Sequence, residues 1–323
     1  MSQIAAIAIG RNEGDRLVAC LATLRADPAV TRIIYVDSGS TDGSIAAAEQ
    51  AGAEVVELDT TIPFTAARAR NAGIDTLKDT PPELVQFIDG DCLLDPAWIA
   101  TARGFLADHP KVAVVCGRRR ERFPEASVYN RLCDAEWDTP VGEAMACGGD
   151  ALMRWAALMG VQGYNPGLIA GEEPEMCLRM RRTGWQVWRL DAEMTLHDAA
   201  MTRFGQFWVR MRRGGFAAAE GVAMYGRGPE KHGVGQARKA VAWGIALPLL
   251  ILLGVVIFGV GALWALTIYP VQIVRLALRY GGDRTAWEKA AFLTVGKFAE
   301  AKGVLEYLWR RLRAGEARLI EYK

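Results

Sequence analysis

The 323-residue chain lacks several features that mark common classes of protein. Its net charge is only +1, so composition gives no support to a nucleic-acid partner. Six cysteines are present, but no two have the C-x-x-C spacing that is typical of zinc and dithiol redox sites. We therefore expect reduced thiols, as in a cytosolic domain, and no disulfide framework.

Familiar phosphate-binding and targeting motifs are missing as well. Neither the Walker loop nor G-x-G-x-x-G occurs anywhere in the chain. The N-terminus has no basic segment before its apolar run, and that run is too short for a signal peptide. It is predicted to be the first strand.

The first half of the chain alternates short apolar runs with helical segments, as in βαβ units. Strands that are apolar throughout fit a parallel sheet with both faces covered. The pattern predicts an α/β fold. Helices are expected at 15–26, 44–51 and 65–77, and strands at 4–10, 53–59, 84–91 and 111–117, with another that begins at residue 32.

Polar residues follow three of these strands. Asn12 and Glu13 follow the first, Asp37 ends the second, and Asp89 and Asp91 end the fourth. Ligands of such sheets bind outside the carboxyl ends of the strands, so these side chains predict a binding site at one sheet edge.

The stretch FIDGDC (87–92) places two carboxylates around a single glycine at a strand end. Oxygen ligands of this kind suit Mg²⁺ or Mn²⁺, which would act as a Lewis acid on a departing diphosphate. The alternative is a surface turn with solvated acids. The other acids at the same sheet edge favour the metal site.

Four motifs, in this order and spacing, resemble family 2 glycosyltransferases of the GT-A fold over about residues 3–215. They are AIGRNEG (8–14), VDSGSTDGS (36–44), ARARNAG (67–73) and FIDGDC. The resemblance implies a Rossmann-like, mostly parallel mixed sheet, a nucleotide-sugar donor, Mn²⁺ or Mg²⁺, and usually inversion at the anomeric carbon.

The same resemblance implies roles for individual residues. Asp91 would bind the metal directly, with Asp89 near the ribose or the metal. His197 could complete the metal site, although a lone histidine is often only hydrogen-bonded in a core. The donor-binding side chains would be Asn12, Glu13, Asp37, Arg70, Asp89, Gly149 and Asp150.

The stretch GEEPEMCLRMRRTGW (171–185) resembles the family segment that carries the catalytic base. The second acid of the pair is usually aspartate, and here it is Glu173, which would deprotonate the acceptor hydroxyl. Glu172 stays open as the base, because the longer side chain shifts the carboxylate. Acids at a helix N-terminus are also expected for capping alone.

Further residues are candidates for contacts with the acceptor or the diphosphate. The competing interpretations are a solvated helix face for the arginines and core packing for the tryptophan. These candidates are Arg179, Arg210, Arg213 and Trp137.

Residues 240–274 contain no charged side chain, and basic residues flank both ends of this run. The run is too long for one upright helix, so it predicts a membrane hairpin that turns near residues 259–261. The basic flanks place both ends on the cytoplasmic side. The alternative is a deeply buried pair of soluble helices. Residues 285–313 are amphipathic and could lie on a membrane or pack back on the domain.

These observations predict a GT-A domain over 1–225, a membrane-associated hairpin over 226–283 and an amphipathic helix over 284–323. The expected activity is metal-dependent, inverting transfer of one sugar to a lipid-linked, glycolipid or exopolysaccharide acceptor at the cytoplasmic face of the inner membrane. Other polysaccharide-assembly proteins could be partners, and no nucleic acid is expected. The alternatives are a nucleotidyltransferase that makes a nucleotide-sugar and a non-catalytic, membrane-tethered scaffold.

Overall fold

A computed structural model describes residues 3–313. Within this range the chain divides into two compact units. The first runs to Pro124 and resumes over Cys133–Ala200, and the second takes Glu125–Leu132 and the described residues from Met201 on. The last ten residues of the predicted C-terminal helix segment lie outside the described range.

The first unit is built on one mixed sheet. Its described strands are β1 (Ile4–Gly10), β2 (Val30–Asp37), β3 (Glu54–Glu57), β4 (Leu84–Asp89), β5 (Cys92–Leu94), β6 (Val112–Glu121), β7 (Gly142–Ala144), β8 (Ala151–Arg154) and β9 (Gln186–His197). Their order is β3-β2-β1-β4-β8-β6-β9-β5, and β7 also pairs with β9.

Helices cover the sheet and connect its strands. They are α1 (Asp15–Ala26), α2 (Ser44–Gln50), α3 (Ala66–Thr76), α4 (Trp98–Asp108), α5 (Val128–Trp137), α6 (Trp155–Gly160) and α7 (Glu172–Arg182). The α5 residues are divided between the two units.

The parallel part of the sheet follows the predicted pattern. β1 pairs in parallel with β2 and β4, and β2 pairs in parallel with β3. The β1 residues are almost all buried, because helices cover both faces. Gly73 allows α3 to pack closely on β1, since a Cβ there would lie 2.6 Å from Cγ2 of Ile7.

The sequence did not reveal how the sheet continues beyond β4. The predicted fifth strand is β6, but the short antiparallel strand β8 separates it from β4. No strand was predicted within residues 118–200, yet they supply the long β9, which pairs in parallel with β6. Strands of three or four residues, such as β7 and β8, carry too little alternation to be recognised.

The described part of the second unit is helical beyond Met201. Its helices are α8 (Phe204–Tyr225), α9 (Val234–Val241), α10 (Leu247–Phe258), α11 (Ile268–Arg279) and α12 (Arg284–Leu312). A π-helical turn, Ala242–Ala246, joins α9 to α10, and a 3₁₀ segment, Val260–Thr267, precedes α11.

Two segments of this unit are long and apolar enough to cross a membrane, Val234–Phe258 and Val260–Arg279. The chain turns between them at Gly259, whose φ of 82° ends the first helix where the hairpin was predicted to turn. Phe258 and Trp264 are 80% and 79% exposed. Such exposure does not fit the alternative of a buried soluble pair.

Helices α8 and α12 pack with their backbones in contact. A Cβ on Gly215 would lie 2.0 Å from the carbonyl oxygen of Glu300, and one on Gly303 would lie 2.0 Å from that of Arg212. Both helices belong to the second unit. The predicted domain boundary after residue 225 stays a prediction.

We expect Gly303→Ala to lower the free energy of unfolding of the second unit by about 1–3 kcal/mol, because the backbones must separate. Urea unfolding followed by circular dichroism measures this. Gly205→Ala is the matched control, since no atom lies within 4 Å of its Cβ position. An equal effect of the two substitutions would contradict the close-packing account.

Candidate active site

Three strand ends form the floor of the candidate site. In the parallel register Gly10 pairs with Asp37, and Ile9 pairs with Asp89. The polar residues after β1, β2 and β4 therefore meet at one edge of the sheet, as the sequence predicted.

Asp91 and His197 come together at this edge. After Asp91 the chain enters β5, which pairs antiparallel with the end of β9 and places Cys92 opposite His197. Oδ1 of Asp91 lies 3.1 Å from Nε2 of His197, and the Cys92 thiol lies 3.8 Å from the same oxygen. Asp91 is 4% exposed. A buried carboxylate beside an imidazole is a donor set that fits a divalent cation such as Mn²⁺.

Trp137 covers the imidazole of His197. The two rings stack with centroids 4.6 Å apart, and the Arg119 guanidinium lies 5.5 Å from the Trp137 ring centroid. Trp137 thus fixes the plane of a candidate metal ligand. Its predicted contact with the acceptor or the diphosphate stays a prediction.

Two arginines hold Asp89: Arg70, which is buried, and Arg119, whose side chain is 12% exposed. Nη2 of Arg70 donates to Oδ1 of Asp89 at 2.9 Å, and Nη2 of Arg119 lies 3.8 Å from Oδ2. Burial works to raise the pKa of Asp89, but these two positive charges outweigh it and hold that pKa below its ordinary value. Because Asp89 is engaged in this way, Asp91 is better placed than Asp89 to bind a metal.

Asp150 and Gly149 support the same cluster. Asp150 is fully buried, accepts from the backbone N–H of Asp89 at 3.0 Å, and lies 2.9 Å from Nη2 of Arg119. A Cβ on Gly149 would lie 2.9 Å from Oδ2 of Asp89 and 3.0 Å from Nη2 of Arg70. A side chain at Gly149 would push these ion-paired groups aside, so these two predicted donor-binding residues also shape the arginine cluster.

Asp37 organises the loop after β2. Its Oδ2 accepts from the backbone N–H groups of Gly39 and Ser40 at 2.9 and 2.7 Å. Its Oδ1 accepts from the Tyr35 hydroxyl at 3.0 Å. Burial, and then the charge of Asp37, raises the pKa of Tyr35, so that hydroxyl remains a donor.

Asn12 ties the loops after β1 and β2 together. Its backbone N–H donates to Oγ of Ser40 at 2.8 Å, and its Oδ1 accepts from the N–H of Thr41 at 2.7 Å. The φ of Asn12 is 55°, a left-handed conformation that asparagine tolerates better than most residues. Glu13 is buried and ion-pairs with Arg16 at 2.6 Å. The structure thus joins the predicted nucleoside-binding residues into one platform.

The two candidate bases have different surroundings. Glu172 accepts from Nη1 of Arg70 at 2.8 Å. Oε1 of Glu173 accepts from the N–H of Cys147 at 2.5 Å and from the Cys177 thiol at 3.1 Å. Burial raises the pKa of Glu173, although these hydrogen bonds oppose the shift.

Comparison with known families identifies this arrangement. Residues 7–141 match the family model described as Glycosyl transferase family 2. This segment is a family 2 glycosyltransferase domain. The predicted family and enzyme class are therefore confirmed. No curated protein sequence matches the chain.

Two solved structures share the fold of this chain. Mannosyltransferase PcManGT from Pyrobaculum calidifontis, in complex with GDP-Man and Mn²⁺, has a TM-score of 0.67 at 18% identity, over 96% of this chain and 88% of that chain. Residues 1–349 of S. aureus TarS have a TM-score of 0.51 at 14% identity, over 96% and 91%. At these identities the likeness concerns the fold alone, and it confirms the predicted GT-A architecture.

The remaining predicted arginines are Arg179, Arg210 and Arg213. Arg179 of the first unit pairs with Glu175 at 2.8 Å and donates to the carbonyl of Gly163 at 2.8 Å. These contacts favour a structural role. Arg210 and Arg213 are half-buried residues of α8 in the second unit. Their contact with phosphate stays a prediction.

Sequence reasoning missed three residues of the candidate site: Arg119, Tyr164 and Cys147. Arg119 stands in the run RRRER (118–122), which reads as a solvated charge run, yet the strand continues through it to the same sheet edge. Tyr164 is buried, and the guanidinium of Arg70 lies 5.5 Å from its ring centroid. No local motif indicates these residues, because their contacts in the site are created by long-range packing.

We expect Asp91→Asn and His197→Ala each to weaken Mn²⁺ binding at least about tenfold, because each removes a candidate ligand. Calorimetric titration with Mn²⁺ and a nucleoside diphosphate measures this. Asp75→Asn is the control, because that carboxylate is exposed and pairs with Lys78. Unchanged affinity in both site variants would place the metal elsewhere.

Proposed function

We propose that this chain transfers one sugar, with inversion, from a nucleoside-diphosphate sugar to a hydroxyl of a membrane-associated acceptor. The observation that carries the proposal is the Arg70 bridge, which pairs with Asp89 at 2.9 Å and with Glu172 at 2.8 Å. It links the turn that carries Asp91 to the helix start that carries Glu173. The GDP-Man and Mn²⁺ of the similar mannosyltransferase structure support a nucleotide-sugar and a divalent metal.

Glu173 is the proposed general base. Glu172 is held in an ion pair with Arg70 at 2.8 Å, so its carboxylate is engaged in the bridge between the strand end and α7. Glu173 has a pKa raised by burial, which makes its carboxylate a stronger base than an ordinary glutamate. Its hydrogen bonds in the described chain all reach Oε1, which leaves Oε2 for the acceptor.

The proposed reaction is a single displacement. The carboxylate of Glu173 takes the proton of the acceptor hydroxyl as the hydroxyl oxygen forms a bond to the anomeric carbon. The bond from that carbon to the diphosphate oxygen breaks, and the electron pair leaves with the diphosphate. Attack opposite to the leaving group inverts the configuration.

The proposed donor-binding groups stand at the same sheet edge. The platform of Asn12 and Asp37 would receive the nucleoside, and its rigid hydrogen bonds would fix the base and ribose without rearrangement. Asp91 and His197 would hold a divalent cation, which supplies charge neutralisation for the departing diphosphate.

The apolar hairpin is proposed to sit in the membrane, with the catalytic domain at its cytoplasmic face. Support comes from the two exposed apolar segments and from the basic residues that flank the charge-free run 240–274, Arg238 and Lys239 before it and Arg275 and Arg279 after it. A domain held at the membrane meets a membrane-bound acceptor through diffusion in the plane of the bilayer. This favours a lipid-linked or glycolipid acceptor.

We expect Glu173→Gln to lower kcat by about 10²–10⁴-fold, because the amide keeps the shape but cannot take the proton. Glu172→Gln is the matched control on the neighbouring residue and should cost less. Release of nucleoside diphosphate from a panel of nucleotide-sugars measures both. Full activity of Glu173→Gln beside an inactive Glu172→Gln would reverse the assignment.

The pH profile tests the same base independently. Since the pKa of Glu173 is raised, its carboxylate stays protonated at pH values where an ordinary glutamic acid, with a pKa of about 4.3, has ionised. We therefore expect kcat/KM to rise with pH along an acid limb centred above that value. Glu173→Gln should abolish this limb in its residual activity. A limb that persists in the variant belongs to another group.

Membrane insertion predicts protection of the hairpin turn. A cysteine introduced as Val260→Cys should react slowly with an impermeant maleimide added from the cytoplasmic face of membrane vesicles. Arg227→Cys, before the first apolar segment, should react quickly. The native cysteines are all buried and add little background. Equal labelling rates from the cytoplasmic face would show that the turn lies outside the bilayer.

A further inference from the structure

The proposed base and two cysteines beside it bring a carboxylate and two sulfur atoms together. Cys147 lies between β7 and β8, and Glu173 and Cys177 stand one helical turn apart on α7. The two Sγ atoms are 3.7 Å apart, and the Cys177 Sγ is 3.1 Å from Oε1 of Glu173. One ligand atom from each residue lies within 4.8 Å of the others.

We propose that Cys147, Glu173 and Cys177 form a binding site for a thiophilic divalent cation, Zn²⁺ or Cd²⁺. Two thiolates that bind one tetrahedral Zn²⁺ at about 2.3 Å stand about 3.8 Å apart, which the observed sulfur–sulfur distance already matches. A thiolate and a carboxylate on the same ion stand about 3.5 Å apart. The observed distance from Cys177 Sγ to Oε1 of Glu173 is shorter than this, and a small side-chain rotation would bring the two atoms to it.

The charge balance of the cluster favours exchange of protons for the cation. Each thiol loses its proton to solvent when its sulfur binds the metal, so two protons leave as one divalent cation enters. With Glu173 ionised, the net charge of the buried group is the same before and after. The exchange therefore avoids adding net charge to a buried region.

Ligand type separates this site from the one at Asp91 and His197. Two sulfur ligands select Zn²⁺ or Cd²⁺ over Mn²⁺ and Mg²⁺, which prefer oxygen. Three protein ligands leave a fourth position open, and Cys147 retains 8% exposure as the side from which an ion enters. The absence of C-x-x-C excludes a local zinc motif, but not a site assembled from a loop and a helix.

Binding of a cation at this cysteine site should affect catalysis, an expectation that rests on the proposed function. A cation bound by the Glu173 carboxylate occupies the group that would accept the hydroxyl proton. Zn²⁺ should therefore inhibit sugar transfer, and saturating Mn²⁺ should not relieve the inhibition, because the two ions bind different residues.

The test is a Cd²⁺ titration of the full-length protein saturated with Mn²⁺. Ultraviolet thiolate-to-cadmium absorption should report one Cd²⁺ per chain. Calorimetry in buffers of different ionisation enthalpy should report about two protons released per ion. Cys147→Ser and Cys177→Ser should each weaken Cd²⁺ binding at least about tenfold.

Two further cysteine variants serve as matched controls. Cys92→Ser removes the thiol beside Asp91, and Cys133→Ala removes a buried thiol outside the cluster. Neither should change Cd²⁺ affinity. Loss of binding in Cys92→Ser alone, or unchanged binding in both cluster variants, overturns the proposal. Retained Mn²⁺ binding shows that each variant is folded, and proton release from the unmodified protein tests the site without any substitution.

The inhibition arm separates this inference from the proposed function. Cd²⁺ binding with two protons released and no loss of transfer would support the metal site and contradict Glu173 as the base. No Cd²⁺ binding, with transfer still dependent on Glu173, would overturn the metal site and leave the proposed function standing.

Discussion

One buried arginine joins the two halves of the candidate active site. Arg70 is 3% exposed and pairs with Asp89 at the end of β4 and with Glu172 at the start of α7. Burial opposes its charge, but its carboxylate partners raise its pKa, so it stays ionised. Because Arg70 itself is buried, removal of a carboxylate partner would leave its charge less compensated. The position of the base helix relative to the strand end therefore depends on Arg70.

The arginines of the site are largely neutralised by their own partners. Arg70 and Arg119 face Asp89, Asp150 and Glu172 at 2.8–3.8 Å, so acids offset their positive charge within the cluster. They position side chains and add little net attraction for a diphosphate. A divalent cation at Asp91 then becomes the natural source of positive charge. This is the physical reason to expect metal dependence.

The sequence was most informative where structure is local. The register of β1, β2 and β4 follows from apolar runs that end in polar residues, and the turn at Gly259 follows from a glycine in a charge-free run. Contacts across the sheet were not predictable. His197 reaches Asp91 only because β5 pairs with β9, and Arg119 reaches Asp150 only because β6 extends to the same edge. The Cys147–Cys177 contact likewise joins a loop to a helix.

The most direct measurement is a crystal structure with Mn²⁺ and a nucleoside diphosphate, with manganese located by anomalous scattering. The account predicts one manganese peak within coordination distance of Asp91 and His197, with the diphosphate between that ion and the start of α7. A manganese site on other residues, or a diphosphate bound away from Asp91, would contradict it.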